Sequence, residues 1–360
     1  CSCIKTVVFA DDTDVPKGMG GYEQLLEAAA DTEPETLEPF ASQDSDTIIL
    51  FYTSGSEGKP KGVMLSHAGL AINVLGQAVP FNWSTDDVFL LSGPMFHLGA
   101  GSRVFASLIH GGHMVIVEKF DPVAVMGTIQ DYRITAVTFV PTMLAMIMND
   151  PAYASYDLTS LRMICYGAAP MPISLIERAV ADLPHASFGQ SYGMTEASPV
   201  LTILAPEHHD PSGPHPDRLK SVGQPVVYSD LRIFDERDNP LLPGETGEIV
   251  IRGPQIMNGY WNQPERTAHA MRGGYYHTGD AGYLDEDGFL FLAGRVKEMI
   301  ITGGENVYPI ETENALSKHP LVAECAVIGI PHEKWGEAVH AVVRLKPGEM
   351  AGERDLIDHC

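Results

Sequence analysis

The sequence predicts an α/β fold: a large N-terminal domain with mostly parallel sheets flanked by helices and a small β subdomain, then a partial α+β C-terminal domain. Three observations carry this. Short β-type runs alternate with helix-type runs from about residue 47 to residue 192. From about residue 219 to residue 294 that alternation gives way to short strands separated by turns. After Arg295 come one helix-like and one strand-like run, before the sequence ends at Cys360.

Taken in order, residues 88–91, 113–117, 135–140, 162–166 and 186–190 are compact and rich in branched or apolar side chains, as strands require. Between them, 99–109, 122–131, 141–149 and 172–181 have helical spacing. Three of these begin with proline, the favoured first helical residue. Such alternation implies βα units and a parallel sheet. Runs at 230–235, 247–252 and 288–293 are separated by "DERDNPLLPGETG" and "DEDG", both turn signals. A helix over 309–318 and a strand over 322–330 are expected to open a further unit.

The chain has 360 residues, 44% hydrophobic, with 47 acidic against 23 basic side chains, a formal net charge of −24. That field argues against nucleic-acid or anionic-membrane partners, so a polyphosphate ligand has to be held by local donors. No apolar run approaches a membrane span of about 20 residues. The five cysteines are scattered, without zinc spacing, and fit a reducing, cytoplasmic compartment. The loop "EHHDPSGPHPDRLK" offers His208, His209 and His215 as metal ligands, but a solvated loop is the simpler reading.

One stretch stands out chemically. "YTSGSEGKPKG" follows the apolar run at 47–52 and packs hydroxyls, glycines and lysines together. It is not a nucleotide P-loop, because Gly55 and Gly58 are too close and Lys59 precedes Pro60 rather than a hydroxyl. Even so, Gly55 and Gly58 allow backbone N–H groups to approach an anion, Thr53, Ser54 and Ser56 add donors, and Lys59 and Lys61 add charge. A flexible hairpin tip accounts for glycine and serine but not for the two lysines around a proline.

The longer string "YTSGSEGKPKGVMLSH" resembles the phosphate loop of the acyl-adenylate-forming enzymes, with Glu57 where threonine or serine is commoner. The likeness continues in order over about 260 residues. "GAAP" resembles the segment along the adenine, implying Gly167, Ala168 and Ala169 there. "GQSYGMTE" resembles the adenine and magnesium motif and includes Gln190, Ser191 and Gly193; the resemblance implies Tyr192 on the base, Thr195 on the α-phosphate and Glu196 on Mg²⁺. "GEIVIRGPQIMNGYWNQPE" resembles a largely structural signature. "YHTGD" ends in Asp280, implied to accept the ribose hydroxyls, and "GRVKE" supplies Arg295 near ribose and phosphate and Lys297 as a hinge residue. Taken singly, Asp280 could mark a turn, Glu196 a helix cap and Arg295 a surface charge.

The resemblance implies a large domain over 1–294, a hinge near 295–297 and a mobile domain over 298–360. It also implies an acyl-CoA synthetase using ATP, Mg²⁺ and CoA on a small-molecule carboxylic acid, with His97 on the route between acyl and CoA sites; a homodimer is left open. A medium- or long-chain fatty acid is the first expectation. A coumarate- or benzoate-type aryl-CoA ligase is the alternative, as is a truncated chain that binds AMP without turnover. Room for the acyl group is expected at Gly167, Gly189 and Gly193, beside a methionine-rich wall in "PTMLAMIMND", and Gly303 and Gly304 are expected to let pantetheine approach. The family's lysine near the C-terminus has no counterpart before Cys360, so the chain is expected to cover roughly the middle two-thirds of such an enzyme and to adenylate poorly as given.

Overall fold

The computed structural model describes residues 8–9, 15, 19–29, 42–53, 60–303 and 305–360. The chain separates into two compact units, Cys1–Gln43 and Asp44–Cys360. The described part of the first holds a parallel pair, Val8–Phe9 with Gly20–Gly21, and the helix Tyr22–Ala29. The second holds four sheets and the candidate site.

Its largest sheet has seven strands, in the order Gln224–Pro225, Val200–Leu204, Ser187–Gly193, Met163–Gly167, Ala136–Phe139, Val88–Leu91, His113–Ile116. The five strands predicted from sequence run parallel, and the last two in chain order add antiparallel. Both faces are covered, which is why these runs read as continuously apolar. Leu90, Val137, Ile164, Tyr166 and Phe188 face a core built with the helices Pro122–Tyr132, Pro141–Met148 and Ile173–Asp182. Phe89, Leu91, Ala136, Met163 and Cys165 face the opposite core, with Val74 and Phe81 from His67–Phe81 and Ala106 from Leu98–His110.

The helices start where local chemistry dictates. Asp121 accepts from Ala124 N ahead of Pro122, and Arg133 closes that helix in the left-handed region. Pro172, expected as a first helical residue, is instead the N-cap of Ile173–Asp182.

The strand Thr47–Thr53 does not join the parallel sheet. Residues 61–66 are themselves β-type, with Val63 and Leu65 fully buried, so they fold back antiparallel across the glycine loop. With Gly259–Tyr260 they form a separate three-stranded sheet. Within Thr47–Thr53 only Phe51 is buried. The helical unit begins at His67, where Ser66 caps by accepting from Gly69 N.

The β subdomain is an antiparallel sheet, Asp230–Phe234, Gly247–Arg252, Tyr276–Leu284, Leu290–Arg295. The long strand Tyr276–Leu284, which holds "YHTGD", was not expected; its histidine, threonine, glycine and aspartate disguise it as a turn. Beyond it the hairpin Val322–His332 with Gly336–Leu345, the short strands Ile300–Thr302 and Glu305–Val307, and the helix Pro309–Leu316 pack around Ile300, Leu316 and Val327. Among the described residues no helix is long and apolar enough to cross a membrane.

Candidate active site

A cavity of about 1010 Å³ opens where the parallel sheet, the glycine hairpin and the β subdomain meet. The carboxyl ends of parallel strands are the usual position for ligands in such sheets. Thr53, Lys61, His97, Gly167, Ala168, Ser191, Tyr192, Gly193, Thr195, Glu196, Arg295 and Lys297 all line it. Ala169 is exposed and Gln190 is buried within its strand, and neither is on the cavity wall. Ser54, Gly55, Ser56, Glu57, Gly58 and Lys59 lie outside the described residues.

The hairpin brings Thr53 and Lys61 opposite each other as cross-strand partners. The two strands are thus joined as a hairpin, with Thr53 and Lys61 at its end. Thr53 Oγ1 is buried without a hydrogen-bond partner among the described residues. Lys61 Nζ lies 3.6 Å from Glu196 Oε1, and Glu196, on the turn Thr195–Ala197, is only 6% exposed.

Tyr260 completes this group and was missed in the sequence, where it sat inside a signature read as structural. It pairs with Val63 across the small sheet, which places it beside Lys61. Its hydroxyl donates to Glu196 Oε1 at 2.9 Å and accepts from Lys61 Nζ at 3.3 Å. The lysine ammonium also lies 4.5 Å from the Tyr260 ring centroid. Burial, with the Glu196 charge adding to it, pushes the Tyr260 and Tyr276 phenols above the usual range, so both stay protonated donors.

A second cluster forms around Asp280. Arg295 is its cross-strand partner and reaches Asp280 Oδ1 at 2.9 Å through Nε, while Tyr192 OH donates to Oδ2 at 2.6 Å. Burial raises the Asp280 carboxyl, opposed by Tyr192 and Arg295. Thr278 Oγ1 accepts from Asp280 N and donates to Ile249 O. Gly279, at φ +73°, turns the chain so that its N–H reaches Glu248 Oε1 at 3.1 Å. Glu248 Oε2 accepts from His277 Nδ1 at 2.8 Å and from Arg272 at 3.1 Å. Among the described residues Asp238, Glu248 and His277 form the group that could hold a metal, but Arg272 spans both carboxylates and already supplies the positive charge there.

His97 is exposed and caps the helix Leu98–His110, with Nδ1 accepting from Gly99 N at 3.2 Å. Lys297 is exposed in the turn Val296–Glu298. Ala168, in "GAAP", holds the left-handed region at φ +65°, backbone strain of about 1–3 kcal/mol at the cavity wall.

Four expectations are corrected. The space that Gly167, Gly189 and Gly193 free at Cβ is filled by protein rather than left for a ligand: a Cβ would run into Ser191 O, the Phe81 ring and Pro199 O. Gly303 serves Trp335, whose ring a Cβ would meet at 2.8 Å, and Gly304 lies outside the described residues. His209 is not in a solvated loop. It is 3% exposed, with Tyr166 OH 3.0 Å from Nε2 and Ala205 O 3.0 Å from Nδ1, and burial lowers its pKa to about 4. The methionines do not form one wall: Met148 is in the core, Met143 packs against it and reaches the cavity, and Met146 is exposed.

Comparison with known proteins gives these positions a context. The sequence pattern of the AMP-binding enzyme family matches residues 2–261, and that of the AMP-binding enzyme C-terminal domain matches residues 311–360. Feruloyl-CoA synthase of an Amycolatopsis species is 42% identical over 88% of this chain and 62% of its own length. Medium/long-chain-fatty-acid–CoA ligase FadD8 of Mycobacterium tuberculosis is 40% identical over 89% of this chain and 55% of its own length. The chain thus spans about three fifths of such relatives. Among solved structures, o-succinylbenzoate CoA synthetase of Bacillus subtilis, in complex with its acyl-adenylate intermediate, superposes with a TM-score of 0.77 at 33% identity, covering 89% of this chain and 63% of that one. ATP-bound MatB of Rhodopseudomonas palustris superposes at 0.81 with 32% identity, covering 96% and 66%.

Proposed function

The chain belongs to the AMP-binding enzyme family, and from that membership we propose that it is the nucleotide-binding part of an ATP-dependent, AMP-forming acid–CoA ligase. The observation that carries the reading is the single cavity shared by Thr53, Lys61, Tyr192, Thr195, Glu196 and Arg295, with Asp280 bonded to two of them.

In this reading one oxygen of the substrate carboxylate attacks the α-phosphorus of ATP. The new P–O bond forms as the bond to the bridging oxygen breaks, and that electron pair leaves with pyrophosphate. The nucleophile is already an anion, so no general base is required. Thr195 donates to the α-phosphate as charge grows there, and Lys61, Thr53 and the loop 54–59 receive the β- and γ-phosphates. Tyr192 carries the base, flanked by Gly167 and Ala168, while Asp280 and Arg295 meet the ribose. Glu196, a buried carboxylate paired with Lys61 and hydrogen-bonded by Tyr260, is suited to hold Mg²⁺, which when bound would supply positive charge to the phosphoryl oxygens.

The CoA thiolate then attacks the acyl carbon and AMP departs. Lys297 serves as the hinge between a domain over 1–294 and a mobile domain over 298–360, and His97 flanks the thiol route; both are exposed and on the wall, as those roles need. The relatives' names divide between aryl and fatty acids, so an apolar-bodied carboxylic acid is the substrate class carried forward.

Calorimetry with AMP, and pyrophosphate exchange on a chain extended to the relatives' length, test this. AMP binding with acid-dependent exchange supports it. Absence of AMP binding overturns it.

A further inference from the structure

The large cavity has an end that these roles leave unused. There Leu90, Leu91, Phe139 and Val200 give apolar walls, but Ser92, Ser102, Thr138 and Arg103 are also among the lining residues. Seven buried side-chain polar atoms lack a partner among the described residues, and Ser92 Oγ, Ser102 Oγ and Arg103 Nε are three of them. Such atoms rarely stay unsatisfied in a folded protein, so three at one cavity end point to a ligand.

Arg103 is the most unusual of these. It is 6% exposed on the helix Leu98–His110 and, among the described residues, forms no ion pair with a carboxylate. Its hydrogen bond runs from Nη1 to Gln77 Oε1 at 2.9 Å, and its carbon lies 4.9 Å from the Trp83 ring centroid. Gln77 is fixed in turn by Asn73, which is tied to the backbone of Ala197 and Val200. The guanidinium is therefore held in place by neutral groups.

Among the described residues no anionic group is paired with it. Burial pushes the Cys165 thiol up to about 11, so it provides no thiolate at neutral pH. Asp87, a buried carboxylate of the same sheet, is committed to Arg162 and Thr135. A separate void beside Arg103 measures about 10 Å³, room for one water at most. A buried cation without a counter-ion is strongly unfavourable, and the large cavity is the remaining place from which an anion can reach it.

We propose that the acid activated here carries a second carboxylate, remote from the reacting one, which seats against Arg103, Ser102 and Ser92. This deepens the ligase reading and rests on it: the apolar walls take the body of the substrate, and the buried cation selects diacids over monoacids. A neutral hydroxyl would satisfy the serines but would leave the guanidinium charge uncompensated, so a phenolic acid is the weaker fit.

The test is calorimetric binding, with AMP present, of matched pairs: a straight-chain monoacid and the diacid of equal carbon number, then benzoate-type monoacids carrying a second carboxylate, a hydroxyl or neither. The diacids are expected to bind about 100-fold more tightly than their monoacids. In Arg103→Met that ratio should fall about 100-fold, and Arg103→Lys should restore part of it. Should Arg103→Met fail to fold, by melting temperature and near-ultraviolet dichroism, the double variant Ser92→Ala/Ser102→Ala decides, with an expected fall in the ratio of about tenfold. Equal binding of monoacids and diacids, a preference for the phenolic acid, or a ratio unmoved in the variants overturns the proposal. Because the readout is binding, loss of exchange activity with every acid would sink the ligase reading while leaving this result to be read separately.

Discussion

At one end of the cavity Lys61 is ion-paired with Glu196, distant in sequence, and Arg295 with its cross-strand neighbour Asp280, whereas at the other Arg103, Ser92 and Ser102 are buried with polar atoms unmatched among the described residues. The first end is a set of ion pairs that a ligand has to exchange. In the proposed reading Lys61 would exchange Glu196 for phosphate, and Tyr192 would exchange Asp280 for the nucleoside. The second is a vacancy of charge that a ligand has only to fill. The difference teaches that affinity at one end is a balance of old and new partners, while selectivity at the other comes from desolvated groups with no alternative.

The largest effect is expected where the exchanged partner is a charge. Glu196→Gln keeps an acceptor for Tyr260 but removes the carboxylate, and pyrophosphate exchange should drop about 10³-fold. AMP affinity, which needs no metal in the proposed reading, should stay within about threefold of wild type by calorimetry. If both fall together, Glu196 is a structural residue and the exchange picture of this end breaks.

His209 sharpens the contrast from outside the cavity, as a buried polar group whose partners are complete. Its folded pKa of about 4 lies below the ordinary value of 6.5, so the unfolded chain binds the proton more readily. The stability it contributes is fully present above pH 6.5 and is lost as the pH falls towards 4, by about 3 kcal/mol in all. His209→Gln should flatten that part of the acid limb in denaturant titrations. An unchanged slope between those pH values would mean that His209 is reached by solvent.

The legibility of the two ends follows the same divide. The parallel strands were readable because burial on both faces leaves continuous apolar runs, as at Met163–Gly167. Thr53, Lys61, Thr195, Glu196 and Arg295 were readable because their motifs are contiguous in sequence, and the fold brings them to one wall. Tyr260 was not, since it acts through pairing with a strand nearly 200 residues earlier. Nor was Arg103: in "GAGSRVFASLIH" an arginine looks like a surface residue, and only packing against Trp83 and Gln77 reveals it as buried. The glycines misled for a related reason, because sequence shows the missing side chain but not Phe81 or Pro199 filling its place.

Asp280 offers a smaller, two-sided effect. Its carboxyl is raised by burial, so the ionised form is held at a cost: its stabilising contribution is full below the ordinary carboxylate pKa and is lost as pH rises through the raised one. Asp280→Asn should therefore melt no lower than wild type at neutral pH, and lower than wild type only in acid. AMP affinity should fall about 30-fold, as expected when hydrogen bonds from the ribose lose a charged acceptor. A variant that loses neutral-pH stability along with affinity would show that the Tyr192 and Arg295 contacts outweigh burial.

Tyr260→Phe is expected to give the smallest change and the most specific one. The ring stays, so the contact with the Lys61 ammonium is kept, but the hydroxyl that donates to Glu196 and accepts from Lys61 is gone. Glu196 then has one partner fewer in a site that is only 6% exposed, and its orientation is set by Lys61 alone. In the proposed reading Lys61 would move to phosphate, and Tyr260 would then hold the carboxylate in place. The half-saturating Mg²⁺ concentration for ATP binding should rise about fivefold, the net worth of one hydrogen bond, while AMP affinity is unchanged. A shift in AMP affinity with no change in Mg²⁺ dependence would move Tyr260 from the metal side of the cavity to the nucleoside side.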